Sequence, residues 1–447
     1  MLRRFATSCL IAALALPVAA RTRPHYGGTL HVEIEGDPWQ RPDGLARRLV
    51  FDGLTALDAN GQVRPALAVD WSSDDNDHRW QFKLRPGVHF HDGTALTSVN
   101  VIASLTAACS VNCPWTSLRA VGSSVVFVGD SPMPDLPALL ASDEFLIALT
   151  VTADGKTPNG NIGTGPFQLT GFNNGVLALA ANETCWQGRP FVDAIEMRVH
   201  RAMRDQWLDL GVGHADIVEV PAEMLRQAQQ QRLTVDVSPP VALLTLQVSD
   251  SGPLANPMLR SSIALAVDRA TLFNVIFQKQ GQVTASLLPQ SLTGYSFLFP
   301  ADRDLGKAHE LKGGLSTPPL TLSTQGSGAM QLAAQRIALD LRDTGFNVQV
   351  VSANAHPDLI LRKLPIDGAE PYAALELLLR GAGQTPPIIE PGLAALYKAE
   401  HELLDRHTLI PLLDLPRAYA SGGRVRDLHL LSDGTPDLAN VSIEDAP

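Results

Sequence analysis

The sequence is poor in positive charge. It contains 35 lysine and arginine residues against 46 aspartate and glutamate residues, which gives a formal net charge of −11. Proteins that bind nucleic acids present a basic surface to the phosphate backbone. The shortage of basic residues therefore argues against a nucleic-acid partner.

The N-terminus lacks a hydrophobic run long enough to cross a membrane. Its apolar run extends only from Leu10 to Leu16, whereas a spanning helix needs about 20 residues. Arg3 and Arg4 precede this run, and small residues follow it, which is the pattern of an export signal peptide. We therefore expect residues 1–20 to be removed, so that the mature chain begins near Arg21, outside the cytoplasm.

Cysteine is scarce, with four residues in the whole chain. Cys9 falls within the expected signal peptide. Cys109 and Cys113 are close enough in sequence to form a disulfide in an oxidising compartment, and the alternative is a pair of buried thiols. Together with Cys185 they do not have the ligand spacing of a zinc site. We therefore leave the disulfide open and predict no metal and no cofactor.

Sequence signatures of hydrolases are missing as well. A zinc-protease helix needs two histidines four residues apart, but Asp405 stands four residues after His401. His407 follows two residues later, about 240° round the helix from His401. The sequence contains no Gly-x-Ser-x-Gly nucleophile elbow. We therefore predict that the protein is not an enzyme.

Local patterns predict an α/β chain with two or three domains, because 447 residues exceed what one core usually organises. Arg79–Leu84 alternates apolar and polar side chains, as a half-buried strand does. Thr97 is placed to cap the helix that follows it. Further strands are predicted at residues 124–128 and 145–150. Residues 320–351 have the strand, helix and strand order of a βαβ unit, with a glycine at the end of the helix.

Several short motifs are spaced along the chain. They are Phe-Asp-Gly-Leu-Thr at 51–55, Trp-Gln-Phe-Lys-Leu-Arg-Pro-Gly at 80–87, Phe-His-Asp-Gly-Thr at 90–94, Gly-Thr-Gly-Pro-Phe at 163–167, and Ala-Leu-Ala-Val-Asp-Arg at 264–269. In this order they resemble bacterial extracellular solute-binding proteins of family 5, which serve peptide and nickel ABC importers. The resemblance implies that His91 and Asp92 lie in a structural turn. We interpret the glycines at 163–165 as a requirement of backbone geometry.

The resemblance implies a two-lobed periplasmic binding protein of type II, in the large peptide-binding subclass, with mixed sheets and a hinge of crossing strands. Residues 21–247 and 408–447 are expected to form lobe I, and residues 248–407 lobe II. A shortened outer subdomain of lobe I is expected around residues 50–162.

The resemblance also implies where a ligand would bind. Asp367 falls in the register of the aspartate that holds a ligand's amino terminus, and Tyr372 follows in the same segment. Arg362 or Lys363 is a candidate for a ligand carboxylate, although neighbouring residues of a strand face opposite ways. Trp39 follows the first strand, near where relatives line the cleft. The alternatives are a solvated turn for Asp367, solvated charges for the two basic residues and ordinary packing for Trp39.

The function that the resemblance implies is capture of a peptide or similar small polar solute by hinge closure and its delivery to ABC permease subunits in the inner membrane. We expect a monomer. Two alternatives stay open: a ligand-sensing or chaperone-like relative that is not coupled to transport, and a secreted hydrolase.

Overall fold

A computed structural model describes residues 26–36, 38–39, 44–58, 60–74, 76–109, 113–150, 161–324, 328–351, 356–366, 370–390 and 392–444. The expected signal peptide and Asp367 lie outside these residues. In the described part of the chain, no helix is long and apolar enough to span a membrane.

The chain forms mixed α/β structure. The strands are β1 (Thr29–Glu33), β2 (Thr55–Leu57), β3 (Val63–Pro65), β4 (Ala68–Ser73), β5 (Arg79–Leu84), β6 (Ser117–Val121), β7 (Ser124–Val128), β8 (Phe167–Asn173), β9 (Val176–Ala181), β10 (Ala194–Arg198), β11 (Ile217–Glu219), β12 (Thr234–Val248), β13 (Gln282–Val283), β14 (Leu320–Thr324), β15 (Val348–Val351), β16 (Leu359–Pro365), β17 (Leu409–Ser421), β18 (Val425–Arg426) and β19 (Ser442–Ile443). The helices are α1 (Leu45–Val50), α2 (Ser98–Ala108), α3 (Leu136–Leu139), α4 (Met203–Val212), α5 (Leu225–Gln230), α6 (Pro257–Ala266), α7 (Arg269–Thr271), α8 (Gln290–Thr293), α9 (Leu305–Lys312), α10 (Ala329–Asp343), α11 (Pro371–Gly381) and α12 (Leu393–Asp405).

One large mixed sheet runs through the molecule, in the order β15-β14-β16-β12-β17-β11-β1-β10-β9-β8. The pairs β1/β10, β1/β11, β14/β15 and β14/β16 are parallel, and the other pairs along this order are antiparallel. We use "first lobe" for the half with β1 and β8–β11, together with β2–β7 and α1–α5. "Second lobe" means the half with β14–β16 and α6–α12.

The long strands β12 and β17 belong to both halves of the sheet. The second-lobe end of β12 pairs with β16, and the first-lobe end of β17 pairs with β11. Between these ends the β12/β17 ladder changes register on either side of Pro240, which lies opposite Pro416. Proline has no N–H to donate to a ladder, so the hydrogen bonding is interrupted at this crossing. The lobe boundaries near residues 248 and 408 stay a prediction.

The second-lobe sheet is covered by helices on both faces. Leu244 and Leu246 pack into a core with α6 and α10, whereas Leu243 faces the opposite core with α11 and α12. Successive side chains of a strand point to opposite faces, which explains why the consecutive residues 241–246 of β12 are all buried. The βαβ unit is confirmed, because β14 and β15 are parallel and α10 connects them.

The first lobe has a separate outer subdomain around a four-stranded sheet of order β4-β5-β7-β6. Alternate residues of β5 are buried, as its sequence predicts. The core of the subdomain contains aromatic edge contacts of Trp115 and Phe82 with Phe127, at centroid distances of 5.1 and 5.3 Å. Helix α2 begins at the predicted cap, where Thr97 and Asn100 form a reciprocal capping box.

Two further details bear on the sequence predictions. Cys109 and Cys113 form a disulfide, whereas Cys185 is a buried free thiol. The strand predicted at residues 145–150 is wrong, because this segment makes only an isolated bridge between Ile147 and Asp52. Its apolar side chains are buried between the two first-lobe cores, so their burial reflects packing and not a place in a sheet.

Candidate ligand-binding site between the lobes

A cavity of about 380 Å³ lies where the outer subdomain of the first lobe meets helix α11 of the second lobe. We call it the inter-lobe cavity. Its first-lobe wall consists of Cys113, Pro114, Thr116, residues 130–136 and Leu139. Its second-lobe wall consists of Tyr372, Ala373, Leu375, Glu376, Leu379, Arg380 and residues 385–389.

Helix α11 brings the two walls together because it is apolar on two sides. Leu375, Leu378 and Leu379 are buried in the second-lobe core. Ala373 and Leu377 pack against the core of the outer subdomain instead. A helix with such a wide apolar surface must be covered on both sides. The lobes are therefore in direct contact along α11.

The beginning of α11 meets a carboxyl group of the first lobe. Pro371 occupies the first turn, and the side chain of Glu370 does not cap the helix. The carboxyl of Asp135 faces the backbone N–H groups of Tyr372 and Ala373 in this turn. Burial raises the pKa of Asp135 to about 6, and the nearby carboxylate of Glu370 acts in the same direction. The N–H groups oppose this rise only in part.

The end of α11 carries an ion-pair cluster that joins the lobes. Arg380 lies 2.8 Å from Glu376 in its own helix and 3.5 Å from Glu144 in the first lobe. Burial raises the pKa of Glu376, and the guanidinium of Arg380 limits that rise. Asp130, which also lines the cavity, is exposed and accepts a hydrogen bond of 3.4 Å from Thr116. Acidic groups thus outnumber basic ones on the cavity wall.

Tyr372 is the predicted site residue that lines this cavity. It is half-buried, and its hydroxyl accepts a hydrogen bond from the backbone N–H of Gly392. The same hydroxyl lies 3.5 Å from the carbonyl oxygen of Glu390. The ring is therefore fixed in the wall by the segment that precedes α12.

Arg362 lies behind the far end of α11 and does not line the cavity. Its guanidinium donates to the carbonyl of Gly381 at 3.1 Å, and burial lowers its pKa. Lys363 is exposed on the other side of strand β16. The expectation that the two basic side chains point opposite ways fits this arrangement. Their contact with a ligand stays a prediction.

Trp39 is placed in the first-lobe core region, away from the inter-lobe cavity. Its ring packs edge-on against Phe51 with a centroid distance of 5.8 Å, and the residue is half-buried. Asp367 is outside the described residues, so its predicted role stays untested. Of the three candidates that the structure describes, Tyr372 lies on the cavity wall, and Arg362 and Trp39 do not.

Several charged residues of this site were not predicted from the sequence. The pair Glu376 and Arg380 has the four-residue spacing of a helical ion pair, which is a recognisable signal. Asp135 and Glu144 carry no such signal, because Glu144 lies 236 residues before its partner Arg380. Among the described residues, no group of three or more histidine, cysteine or acidic side chains is arranged to hold a metal ion.

The glycine turn at residues 163–167 packs against the backbone at the end of α1. A Cβ atom on Gly163 would lie 1.9 Å from the carbonyl oxygen of Val50, and one on Gly165 would lie 2.6 Å from that of Leu49. These close backbone contacts confirm that the glycines serve geometry. The buried carboxyl of Asp52 accepts hydrogen bonds from Thr164 at 2.8 Å and from Trp186, 134 residues away in sequence, at 2.9 Å.

Comparison with known proteins agrees with this architecture. A family model described as "Bacterial extracellular solute-binding proteins, family 5 Middle" matches residues 62–384. The chain is 26% identical over 388 residues to "Probable di/tripeptide-binding protein 5" of Pseudomonas aeruginosa, which covers 74% of this chain and 72% of that protein. Several other curated relatives match over less than half of their own length.

Two solved structures show the same fold. The periplasmic binding protein AgaA of A. tumefaciens R10, in complex with agropinic acid, superposes with a TM-score of 0.82 at 18% identity, over 94% of this chain and 99% of that one. The binding protein DppA of Helicobacter pylori, in complex with the peptide STSA, has a TM-score of 0.81 at 18% identity and the same coverage. The two-lobed fold of periplasmic binding proteins is thereby confirmed.

Proposed function

Because the chain belongs to family 5 of the bacterial extracellular solute-binding proteins, we propose that it is the substrate-binding component of an ABC importer. It captures a peptide or similar small polar solute between its lobes and delivers it unaltered to permease subunits in the inner membrane. We propose that it acts as a monomer in the periplasm after removal of residues 1–20.

The observation that carries this proposal is the inter-lobe cavity, whose walls come from both lobes. A ligand in this position contacts both walls only when the lobes are together, so it binds the closed arrangement more tightly than an open one. Such a difference in affinity is what couples ligand capture to hinge closure. The family relationship supplies the link to import.

The cavity favours a short ligand. Its volume of about 380 Å³ is near the lower end of the roughly 300–1,000 Å³ usual for small-molecule sites. Apolar side chains such as Met133 and Ile388 supply most of the contact surface, and Asp135 and Arg380 supply charge of both signs. A di- or tripeptide combines apolar side chains with an ammonium and a carboxylate, and fits this lining.

We propose that Tyr372 contacts the ligand from the second-lobe wall. Asp367, Arg362 and Trp39 stay proposed contacts, with Asp367 as the group that holds a free amino terminus through a charge-assisted hydrogen bond. We also propose the division of the chain into lobe I (21–247 and 408–447) and lobe II (248–407), with β12 and β17 as the crossing strands.

A thermal-shift screen of the purified mature protein tests the function. Di- to pentapeptides, sugars and Ni²⁺ are compared, because a ligand that binds only the native state raises the melting temperature. A ligand at a concentration of 100 times its dissociation constant raises the free energy of unfolding by about 2.7 kcal/mol. We expect short peptides to stabilise the protein and to be recovered intact. Conversion of a stabilising peptide into product would overturn the proposal, as would the failure of every solute class to bind.

Variants then test the proposed contacts. Asp367→Ala should weaken binding of a stabilising peptide but not of its N-acetylated form, because the acetyl group removes the ammonium that the carboxylate would hold. Asp250→Asn, at an exposed position that does not line the inter-lobe cavity, serves as the control. Equal affinity of wild type and Asp367→Ala for the free peptide would show that the amine assignment is wrong.

A further inference from the structure

We propose that the second lobe contains a binding site for a small oxyanion, such as phosphate or a carboxylate, held by the guanidinium of Arg269. The site is a cavity of about 240 Å³ among α6, the end of α12, the start of β17 and residues 299–302. Arg269, Phe299, His401 and His407 are among its lining residues. Among the residues that the structure describes, none lines both this cavity and the inter-lobe cavity.

The first observation is that the charge of Arg269 is buried without an acidic partner. The residue is 6% exposed. Its Nε donates to the carbonyl of Pro411 at 2.8 Å, and Nη1 lies 3.4 and 3.5 Å from the carbonyl oxygens of Ala264 and Ala301. Nη2 has no hydrogen-bond partner in the part of the chain that the structure describes. Two N–H donors are therefore left for the cavity that the side chain lines.

A buried cation of this kind is unfavourable unless an anion compensates it. Burial lowers the pKa of Arg269 to about 10, and no carboxylate of the described residues is close enough to offset this change. Elsewhere in the second lobe the chain supplies such partners. Arg303 and Arg336 share the buried carboxylate of Asp340, at 3.3 and 2.7 Å. Arg269 has no such acidic partner among the described residues and lines a cavity instead.

A second buried guanidinium adds positive potential on the same side. Arg260 is 8% exposed and donates only to backbone carbonyls, those of Arg406, Leu254 and Ala255, at 2.8 to 3.0 Å. The pKa of His407 is lowered mainly by burial, the carbonyl and carboxylate of Asp405 oppose that change, and the charges of Arg260 and Arg269 add to it. The nitrogen-bearing side chains that line the cavity itself are Arg269, His401 and His407.

Two acidic side chains, Asp302 and Asp405, also line this cavity, but neither offsets the burial of Arg269. Asp302 is exposed, and Asp405 is exposed and pairs with His401 at 3.0 Å. Charges in contact with water are screened and interact weakly with a buried group. His407 lies within hydrogen-bond distance of the Asp405 carbonyl, with Nδ1 at 2.9 Å. Because Nδ1 donates to this carbonyl, Nε2 carries a proton and can donate to an anion when the ring is protonated.

The size of the cavity limits the ligand to a small ion. Its volume of about 240 Å³ is below the range of roughly 300–1,000 Å³ that is typical of larger ligands. Guanidinium groups bind carboxylate and phosphate oxygens through paired N–H donors. Phosphate, sulfate and acetate share this oxyanion chemistry, and their comparison separates an inorganic ion from a carboxylate.

The test measures thermal unfolding of the mature protein in increasing sodium phosphate, sulfate or acetate, with sodium chloride added to hold the ionic strength constant. We expect a saturable rise in melting temperature with at least one of these ions. The His407 ring resonances should titrate with a higher pKa in the same ion, because a bound anion favours the protonated ring. Wild-type protein that shows no saturable stabilisation with any of the three ions would overturn the proposal.

Three variants locate the effect. Arg269→Met removes the charge and should abolish the saturable response. Ala285→Leu narrows the cavity but keeps Arg269, so it tests the site if Arg269→Met does not fold, and it should weaken binding at least tenfold. Arg406→Gln removes an exposed charge near the cavity and should leave the affinity within twofold of wild type. An unchanged response of Ala285→Leu, or an equal loss in Arg406→Gln, would show that the ion binds elsewhere.

Discussion

The carboxyl of Asp135 offers a direct test of the contact between the lobes. This group belongs to the first lobe but faces the first turn of α11 in the second lobe. Burial raises its pKa to about 6 from an ordinary value of 3.8. This rise in the pKa of Asp135 depends on α11 and Glu370 lying against the outer subdomain. Asp135→Asn removes the titration while keeping the shape of the side chain.

The sign of the effect follows from proton binding. Between pH 4 and pH 6 the folded protein keeps a proton on Asp135 that the unfolded chain has lost, so the free energy of unfolding falls as the pH rises. A difference of roughly two between the pKa values corresponds to about 3 kcal/mol. This figure is an upper limit, because the residue is only half-buried and water screens part of the interaction. The decrease is complete above pH 7.

The assay is urea-induced unfolding of wild type and Asp135→Asn between pH 3.5 and pH 7.5. The free energy of unfolding of wild type, relative to the variant, should fall by about 1 to 3 kcal/mol across this range. Subtracting the variant removes the contribution of the other titrating groups. Asp130→Asn, at an exposed carboxyl of the same cavity wall, controls for the replacement of a carboxyl by an amide.

A difference between wild type and Asp135→Asn that stays constant with pH would refute the reasoning. The carboxyl would then be solvated in the folded protein, which means that the lobes separate in solution without ligand. A second measurement identifies that outcome, because separated lobes give a larger radius of gyration in solution scattering. Closure by a ligand should then restore the pH dependence.

Three further predictions concern stability, and each is measured by equilibrium unfolding. Gly163→Ala should lower the free energy of unfolding by about 3 kcal/mol, because its Cβ would lie 1.9 Å from a carbonyl oxygen at the end of α1. The control Gly211→Ala, in open space on α4, should not lower it. Equal losses in the two variants would contradict this prediction. Burial raises the pKa of Asp414 to about 7 from 3.8. The free energy of unfolding of wild type, relative to Asp414→Asn, should therefore fall by up to about 4 kcal/mol between pH 4 and pH 8. Parallel pH profiles of the two proteins would contradict this prediction. Replacing Cys109 and Cys113 by serine should lower the free energy of unfolding by about 2 kcal/mol, because the disulfide closes a short loop. Reduction of the disulfide in wild type should lower it by the same amount.

Residues close together in sequence determined much of the local structure. The alternation in β5, the cap at Thr97 and the order of β14, α10 and β15 depend on contacts over a few residues, which repeat with the period of a strand or helix. The same local spacing excluded a zinc-protease helix at His401, whose Nδ1 lies 3.0 Å from the carboxyl of Asp405. The motifs then indicated the family, and the family indicated the two-lobed fold.

The segment at residues 145–150 shows where local reasoning fails. Its apolar side chains have the composition of a strand, but they fill the space between two cores and pair with β-structure only at Ile147. Burial of a short apolar segment does not by itself specify a hydrogen-bonding partner. The choice between strand and packed loop was made by the surrounding elements.

The sequence by itself determined the family, the two-lobed α/β class and the local elements, because those follow from short motifs and periodic patterns. Only the tertiary structure decided which charges meet. It placed Glu144 beside Arg380 across 236 residues, brought Asp135 to the first turn of α11, and buried Arg269 with no carboxylate of the described residues close enough to offset its burial. The physical reason is that burial and charge pairing depend on chain segments that meet only after folding, and no spacing in the sequence encodes those distances.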